Sequence, residues 1–234
     1  MTRISPQAPV PRTQRGSPRM FESDFFEFFS RVHPAVPAVL YLPIAAASAW
    51  AALSLEGLPL WRVGAEVVGG YLFWTLFEYW LHRLFFHLPV IGPKTERLHF
   101  FVHGVHHDYP WDRTRLVIPP GASLGLCLVI FGAFRLLFGA HGMYGPFAGF
   151  VVGYVIYDTV HWYVHAHAPK NRFGRWIRRE HLVHHFKEPT SRFGVSCPWL
   201  DYVFGTRGKV SAPVSAEASE SESEDRSSGM HAAR

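Results

Sequence analysis

Four long apolar blocks dominate the chain, at about 35–55, 63–86, 117–138 and 143–164. At ~1.5 Å per residue each is long enough to cross a hydrocarbon core of ~30 Å, so the pattern predicts four membrane-spanning helices. The first block is uncharged, and its Pro37 and Pro43 are tolerable in a bilayer helix whose neighbours satisfy the freed backbone groups. The second admits Glu66, Glu78, His82 and Arg83. Turn residues separate the paired blocks: Glu56, Gly57 and Pro59 in the first pair, Gly139, Gly142 and Gly145 in the second. Residues 1–20 lack apolar periodicity and read as a disordered basic arm, without the apolar run of a cleaved signal. The stretch FESDFFEFFS from Phe21 reads either as a helix lying along the bilayer interface or as a short lid on the domain. Residues 211–234 are Ser/Glu-rich and cannot form a core. The expectation is an all-α, membrane-embedded domain over 21–210, with four transmembrane helices, a cytosolic helical cap and a disordered segment at each end.

An even number of spans returns both ends, and every segment after an even span, to one side. Charge names the side. Arg3, Arg12, Arg15, Arg19 and Arg31 precede the first span, Arg83, Lys94, Arg97, Arg113 and Arg115 fill the centre, and six more cations lie from Lys170 to Lys187. The opposite turns hold little beyond Arg62 and Arg135, so the positive-inside bias makes the basic face cytoplasmic. A pI near 9.4 also raises nucleic acid as a partner. The cations gather at the ends of apolar blocks, however, without interleaved polar readers, and no nucleic acid is expected. Cys127 and Cys197 suggest neither a disulfide framework nor a CxxC zinc site.

The same face collects the histidines. Ten of fifteen fall into four spaced groups: His82 and His87; His103, His106 and His107; His161 and His165; His181, His184 and His185. A helical turn with His at i, i+3 and i+4 presents three imidazoles within about a 100° arc. That is more than one ion needs and suits two ions side by side. Neutral imidazole suits zinc, iron, copper and nickel. A lone buried histidine is more often a satisfied core residue, but ten at the ends of apolar spans would each cost ~1–3 kcal/mol if unpaired. His82 and His87, five apart, diverge by about 140° on an ideal helix. They should flank a helix end or serve different metals. His99 and His167 fit a supporting or surface role, and His33, His141 and His231 lie outside the set. Glu78, four before His82, and Asp158, three before His161, are placed to accept a hydrogen bond from the far nitrogen of a ligating imidazole. Asp108, Asp112, Glu180 and Asp201 are further acids able to offset metal charge, although Asp108 and Asp112 equally suit turn chemistry around Pro110.

The run HRLFFH, HGVHH, HWYVH, HLVHH resembles the fatty acid hydroxylase (sterol desaturase) superfamily of membrane di-metal oxygenases. Flanking text, from Asp108-Tyr-Pro-Trp through Gly153-Tyr-Val-Ile-Tyr-Asp to Trp199-Leu-Asp-Tyr, is most similar to the fatty acid 2-hydroxylases. The resemblance covers about 60–207. It implies two Fe ions held by the ten histidines, O2 as oxidant, and hydroxylation at carbon 2 of a fatty acyl chain, free or amide-linked in a ceramide-like lipid. Zinc has no redox chemistry, so zinc in a purified sample would be a substitute. Many relatives carry a fused cytochrome b5 domain, for which the first twenty residues are too short. A separate cytochrome b5- or ferredoxin-like donor is therefore expected. Trp74, Tyr79, Trp80, Tyr157, Trp162 and Tyr163 are candidate walls of a lipid slot. The Ala- and Arg-rich composition leans towards a bacterial inner membrane over the endoplasmic reticulum. A sterol or carotenoid substrate within the superfamily is the main rival. A zinc hydrolase lacks its HExxH here, and a transporter would place polar residues at mid-span.

Overall fold

The structure, a computed structural model, describes residues 16–209. The described residues are helical without strands: α1 (Asp24–Ser30), α2 (Val36–Ser54), α3 (Leu60–Trp80), α4 (Pro93–His99), α5 (Val105–Asp108), α6 (Pro120–Phe138), α7 (Tyr144–Ala166), α8 (Arg172–Phe186) and α9 (Trp199–Val203). Two π-helical turns, Leu81–Phe86 and Phe100–Gly104, continue α3 and α4. The four apolar blocks thus emerge as α2, α3, α6 and α7. Of these, α2 and α6 are long and apolar enough to cross a membrane. Their surfaces agree: Val39 and Trp50 on α2 and Leu128, Val129, Leu136 and Leu137 on α6 are each more than two-thirds exposed. An apolar surface of that extent marks a lipid or protein contact.

The bundle is built on α7, which packs against both α3 and α2. Glycine lets the backbones meet, since a Cβ on Gly149 would strike the Val67 backbone and one on Gly70 the Pro146 backbone. Small residues at such crossings are how apolar helices approach closely in lipid. Aromatic rings fill the remaining space, with Trp74 of α3 against Phe150, Tyr154 and Tyr157 of α7 and Tyr41 of α2 edge-on to Tyr154. At one end the two interhelical turns meet, where Glu56 accepts the Gly142 N–H at 2.5 Å. At the other end Tyr41 donates to, or accepts from, Ser123 at 2.8 Å. This second end carries α4, α5, α8 and α9 as a cap.

The expected disordered arm lies mostly outside the described residues, as does the tail from 211. Its last residues do not conform to that expectation. Ser17 is buried, with its N–H and hydroxyl donating to Asp112 at 2.8 and 2.7 Å. Arg115, its side chain 2% exposed, donates to Ser17, Ser30 and Glu27. A polar knot thus fastens residues 17–31 to the cap, and α1 turns Phe25 and Phe28 outward.

Candidate metal centre

All ten spaced histidines converge. They sort into two groups of five: His82, His87, His103, His107 and His184, and His106, His161, His165, His181 and His185. Within each group one ring nitrogen per residue lies within 4.8 Å of all the others. Helical geometry explains the sorting. In HxxHH the fifth residue lies about 40° from the first and the fourth about 60° away on the other side. Accordingly His103 and His107 share one group while His106 crosses to the second. His181 and His185 share the second while His184 crosses to the first. Each motif therefore contributes to both groups.

Of the two arrangements expected for His82 and His87, flanking a helix end is the one observed, with His87 just past the turn that carries His82. They neither diverge nor serve different groups, because Leu81–Phe86 is a π-helical turn and the His87 N–H bonds the His82 carbonyl five residues back. A turn closed over five residues puts both imidazoles on one side. Their Nε2 atoms stand 3.2 Å apart. The signal missing from the sequence was this local change of helical pitch, a form common at functional sites.

The spacing of the nitrogens fits bound metal. Nitrogens about 2.1 Å from one ion stand about 3 Å apart when adjacent and about 4.2 Å apart when opposite. In the first group the Nε2 pairs His82–His103, His87–His184, His103–His107 and His107–His184 are separated by 3.2, 3.0, 3.0 and 3.2 Å. In the second, His106–His161, His165–His181 and His181–His185 are separated by 2.8, 2.8 and 3.2 Å. Ring nitrogens brought this close need a proton or a cation between them. Burial, reinforced by neighbouring imidazoles, holds His103, His106, His107, His181, His184 and His185 well below the usual histidine range. Burial and His99 likewise hold His87 down to about 4. At neutral pH these rings are neutral, as metal binding requires.

Backbone carbonyls orient three of the rings. His82 Nδ1 lies 2.6 Å from the Phe193 carbonyl, His184 Nδ1 2.6 Å from that of Ser191, and His161 Nδ1 3.0 Å from that of Leu116. Each carbonyl takes the Nδ1 proton and leaves Nε2 free for a ligand. Sequence reading looked to carboxylates for this task, and the geometry differs. Glu78 touches no imidazole. It accepts from Ser196 N–H at 2.7 Å, Ser196 Oγ, Cys197 Sγ at 3.4 Å and Trp74 Nε1 at 3.2 Å. Its contact with the centre runs through the segment that carries the Phe193 carbonyl. Asp158 is buried beside His161, yet neither of its oxygens reaches an imidazole. The physical reason is axial. Three or four residues before its histidine, each carboxylate shares the face but sits about 5.4 Å back along the helix. There Ser196 and Cys197 meet Glu78, and the cavity meets Asp158. Asp201 holds Phe193 and Gly194 by their N–H groups, Glu180 pairs with Arg192 and Arg179, Asp112 belongs to the knot at Arg115, and Asp108 is exposed. His99 stands near His87, whereas His167 packs on Trp162 and Tyr163 away from both groups.

A cavity of about 710 Å³ ends on this centre. Its inner wall holds His103, His106, His161, Tyr157 and Asp158, and its outer wall Phe21, Phe26, Phe29, Phe85, Phe86 and Phe101. Of the six aromatic candidates for a slot, Tyr157 lines this cavity and Trp74 a small pocket beside it. Phenylalanines of the 21–29 stretch and the π-helical turns share the rest with aliphatic side chains such as Leu81, Val105, Leu116 and Ile118. A lid was one of two readings of the stretch from Phe21, but nothing in the sequence tied it to this site.

The fatty acid hydroxylase family model matches residues 67–206. The dihydroceramide fatty acyl 2-hydroxylase FAH1 of Arabidopsis thaliana is 35% identical over 204 residues, covering 87% of this chain and 85% of its own length. The fatty acid 2-hydroxylase of Mus musculus is 34% identical over 211 residues, 80% of this chain and 56% of the relative. A solved structure, full-length scs7p with only its hydroxylase domain visible, superposes with a TM-score of 0.74 at 34% identity, covering 82% of this chain and 73% of that one. The named relatives come from a plant, yeasts and mammals, so they lend nothing to the expectation of a bacterial inner membrane.

Proposed function

Because the chain belongs to the fatty acid hydroxylase family, we propose that it hydroxylates carbon 2 of a fatty acyl chain, free or amide-linked in a ceramide-like lipid. The observation that carries this reading is the abutment of two five-imidazole groups on one apolar cavity. The ten histidines would hold two irons. Such a pair, when bound, supplies dioxygen activation and the oxidising power to turn C–H into C–OH. The rest is done by the chain. Phenylalanines of the cavity take the acyl tail, which passes from bilayer to cavity without meeting water and so keeps the ~0.8 kcal/mol per buried CH₂ that holds it in the membrane. They also exclude water from the reacting carbon. Carbon 2 adjoins the carbonyl, so the reacting end of the lipid is also its polar end. Asp158 and Tyr157 offer polar atoms at that end of the cavity. The carbonyls of Phe193, Ser191 and Leu116 fix the imidazole tautomers, and Glu78 steadies the segment bearing the first of them.

In this reading α2, α3, α6 and α7 are four spans, and the cap with its metal centre lies on the cytoplasmic side. Electrons come from a separate carrier. The test is lipid mass spectrometry after expression in a host lacking hydroxylated acyl chains. The expected product gains one oxygen next to the carbonyl. Oxygen found only on a ring lipid would move the substrate to a sterol or carotenoid, and no oxygenated lipid at all would end the reading.

A further inference from the structure

Replacing one C–H with C–OH by way of dioxygen follows R–H + O2 + 2 e⁻ + 2 H⁺ → R–OH + H2O. Two electrons must therefore enter from outside, and the cavity side of the centre is lined mostly by apolar side chains. The centre has another side. Three of the ten histidines are partly rather than fully buried: His87, His107 and His185. None of these lines the cavity. His107 and His185, one from each group, stack with centroids 4.1 Å apart and planes at 23°. Phe186 adjoins His185, and Trp111 stacks on Phe186 at 5.9 Å. Lys187 follows, exposed.

On the outer face of α8 beside this edge the exposed charge is all positive, while Asp108, which follows His107, is an exposed acid at the edge itself. Arg172, Arg175 and Arg179 succeed one another at spacings of three and four along the outer face of α8, and all three are exposed, as is Lys170. Of the acids between 167 and 209, Glu180 and Asp201 are buried and Glu188 is half-buried. The opposite face of the same helix carries His181 and His184, both buried. A helix is about 10–12 Å across. A carrier seated on the outer face of α8 therefore lies within about one helix width of the imidazoles. Electron transfer falls steeply with distance, so this is the approach that matters.

We propose that the outer face of α8, with the His107–His185 edge, is the docking surface for an acidic one-electron carrier protein, which delivers its two electrons in successive encounters. The inference rests on the oxygenase reading above. Charge complementarity favours this partner. Anionic lipid headgroups fit less well, because the long exposed apolar belts lie on α2, α3 and α6, whereas α8 exposes Phe173 alone among its large apolar residues and its cations lead towards an imidazole edge.

The test uses the full chain in phosphatidylcholine nanodiscs, with a soluble acidic cytochrome b5 domain and a plant-type ferredoxin as probes. Affinity is measured at low and high salt for the wild type and for the triple variant Arg172→Glu, Arg175→Glu, Lys187→Glu, with the glutamine triple as a folding control. At least one probe should bind the wild type, and the charge reversal should weaken it by about tenfold or more and flatten its salt dependence. The glutamine triple should lie between. Equal affinities, or no binding of either probe at low salt, would overturn the docking surface. So would a variant that loses only retained anionic lipid. In parallel, dithionite-reduced wild type and variant are assayed for 2-hydroxylated lipid, and both should form it equally. Product formation with unchanged affinities would remove only the docking surface, whereas no product from reduced wild type would remove the oxygenase reading itself.

Discussion

Glu78→Gln tests how a residue that touches no ligand can govern the centre. The Glu78 carboxylate is 1% exposed and faces donors on both oxygens. Oε1 accepts from Ser196 N–H and Cys197 Sγ, and Oε2 from Trp74 Nε1 and Ser196 Oγ. An amide cannot satisfy that set. With its NH₂ at the Oε1 position, it opposes the Ser196 backbone N–H, which cannot turn away. With its NH₂ at Oε2, the Ser196 hydroxyl can rotate to accept, and only the Trp74 indole loses its partner. The second arrangement should prevail, at a cost of about 1–3 kcal/mol for one unsatisfied buried donor. Losing the charge weakens what remains. Ser196 lies three residues after Phe193, whose carbonyl fixes His82 at 2.6 Å. A relaxed 193–197 segment should therefore lower metal affinity by roughly 10- to 100-fold, the usual effect of disturbing a ligand's outer partner. A chelator-competition titration of purified wild type and variant reads this directly, with a melting curve for the stability cost. Lower stability with unchanged metal affinity would show that the Phe193 carbonyl does not depend on Glu78, and the argument would fail.

Four further outcomes are expected. His106→Ala and His184→Ala, one from each group, should each abolish hydroxylation and reduce metal content, and full activity in both would remove the ligand assignment. Arg115→Met removes the buried one of the two cations paired with Glu27 and leaves the acid to Arg31, so the loss should fall below the about 3–5 kcal/mol of a fully broken buried pair. Hydrogen exchange should rise across residues 16–30, and unchanged protection would show that the knot does not hold the strap. The same knot predicts a pH dependence. Burial alone would raise the Glu27 pKa, but the Met20 and Phe21 N–H groups, Arg115 and Arg31 hold it below its usual 4.5. The stabilisation is thus complete above about 4.5 and is lost as pH falls through the lowered value. Strap protection should decline in that window in the wild type and not in Glu27→Gln, and identical profiles would refute the linkage. Finally, removing residues 211–234 should leave hydroxylation intact, and loss of turnover would show the tail has work to do.

The sequence carried the centre further than the walls around it. Ligand chemistry is written in side chains at fixed spacing, so the ten histidines stood out before any coordinates. Their convergence followed from pairing apolar blocks in twos. The orienting groups were invisible because they are backbone carbonyls, and any residue supplies one at Leu116, Ser191 or Phe193. Glu78 and Asp158 were found for their cost in an apolar helix, but the side each faces depends on packing that periodicity does not encode. The cavity wall was missed for a related reason. Phe21, Phe26 and Phe29 belong to a segment far from the motifs, and only the knot at Arg115 brings them over the site. That knot draws on Ser17 and Glu27 from one end of the domain and Asp112 from its middle, a contact no local pattern announces.

The interleaving of the two HxxHH motifs has a consequence for how the centre assembles. Were each motif to serve one metal, two half-sites could form independently, one on α5 and one on α8. Instead His106 leaves its own motif to join His181 and His185, and His184 leaves to join His103 and His107. Neither group reaches five nitrogens unless α5 and α8 are both docked. His161 and His165 on α7 complete the second group, and His82 and His87, aligned by the π-helical turn, complete the first. Binding free energy for an ion in either group would thereby be shared by the whole cap, so ions held by the two groups should bind and leave together. A titration of the metal-free protein monitored at both groups should show one cooperative transition with a common midpoint for His106→Ala and His184→Ala. Two independent steps, each abolished by only one of the substitutions, would mean that the motifs act alone and that the cap folds without them.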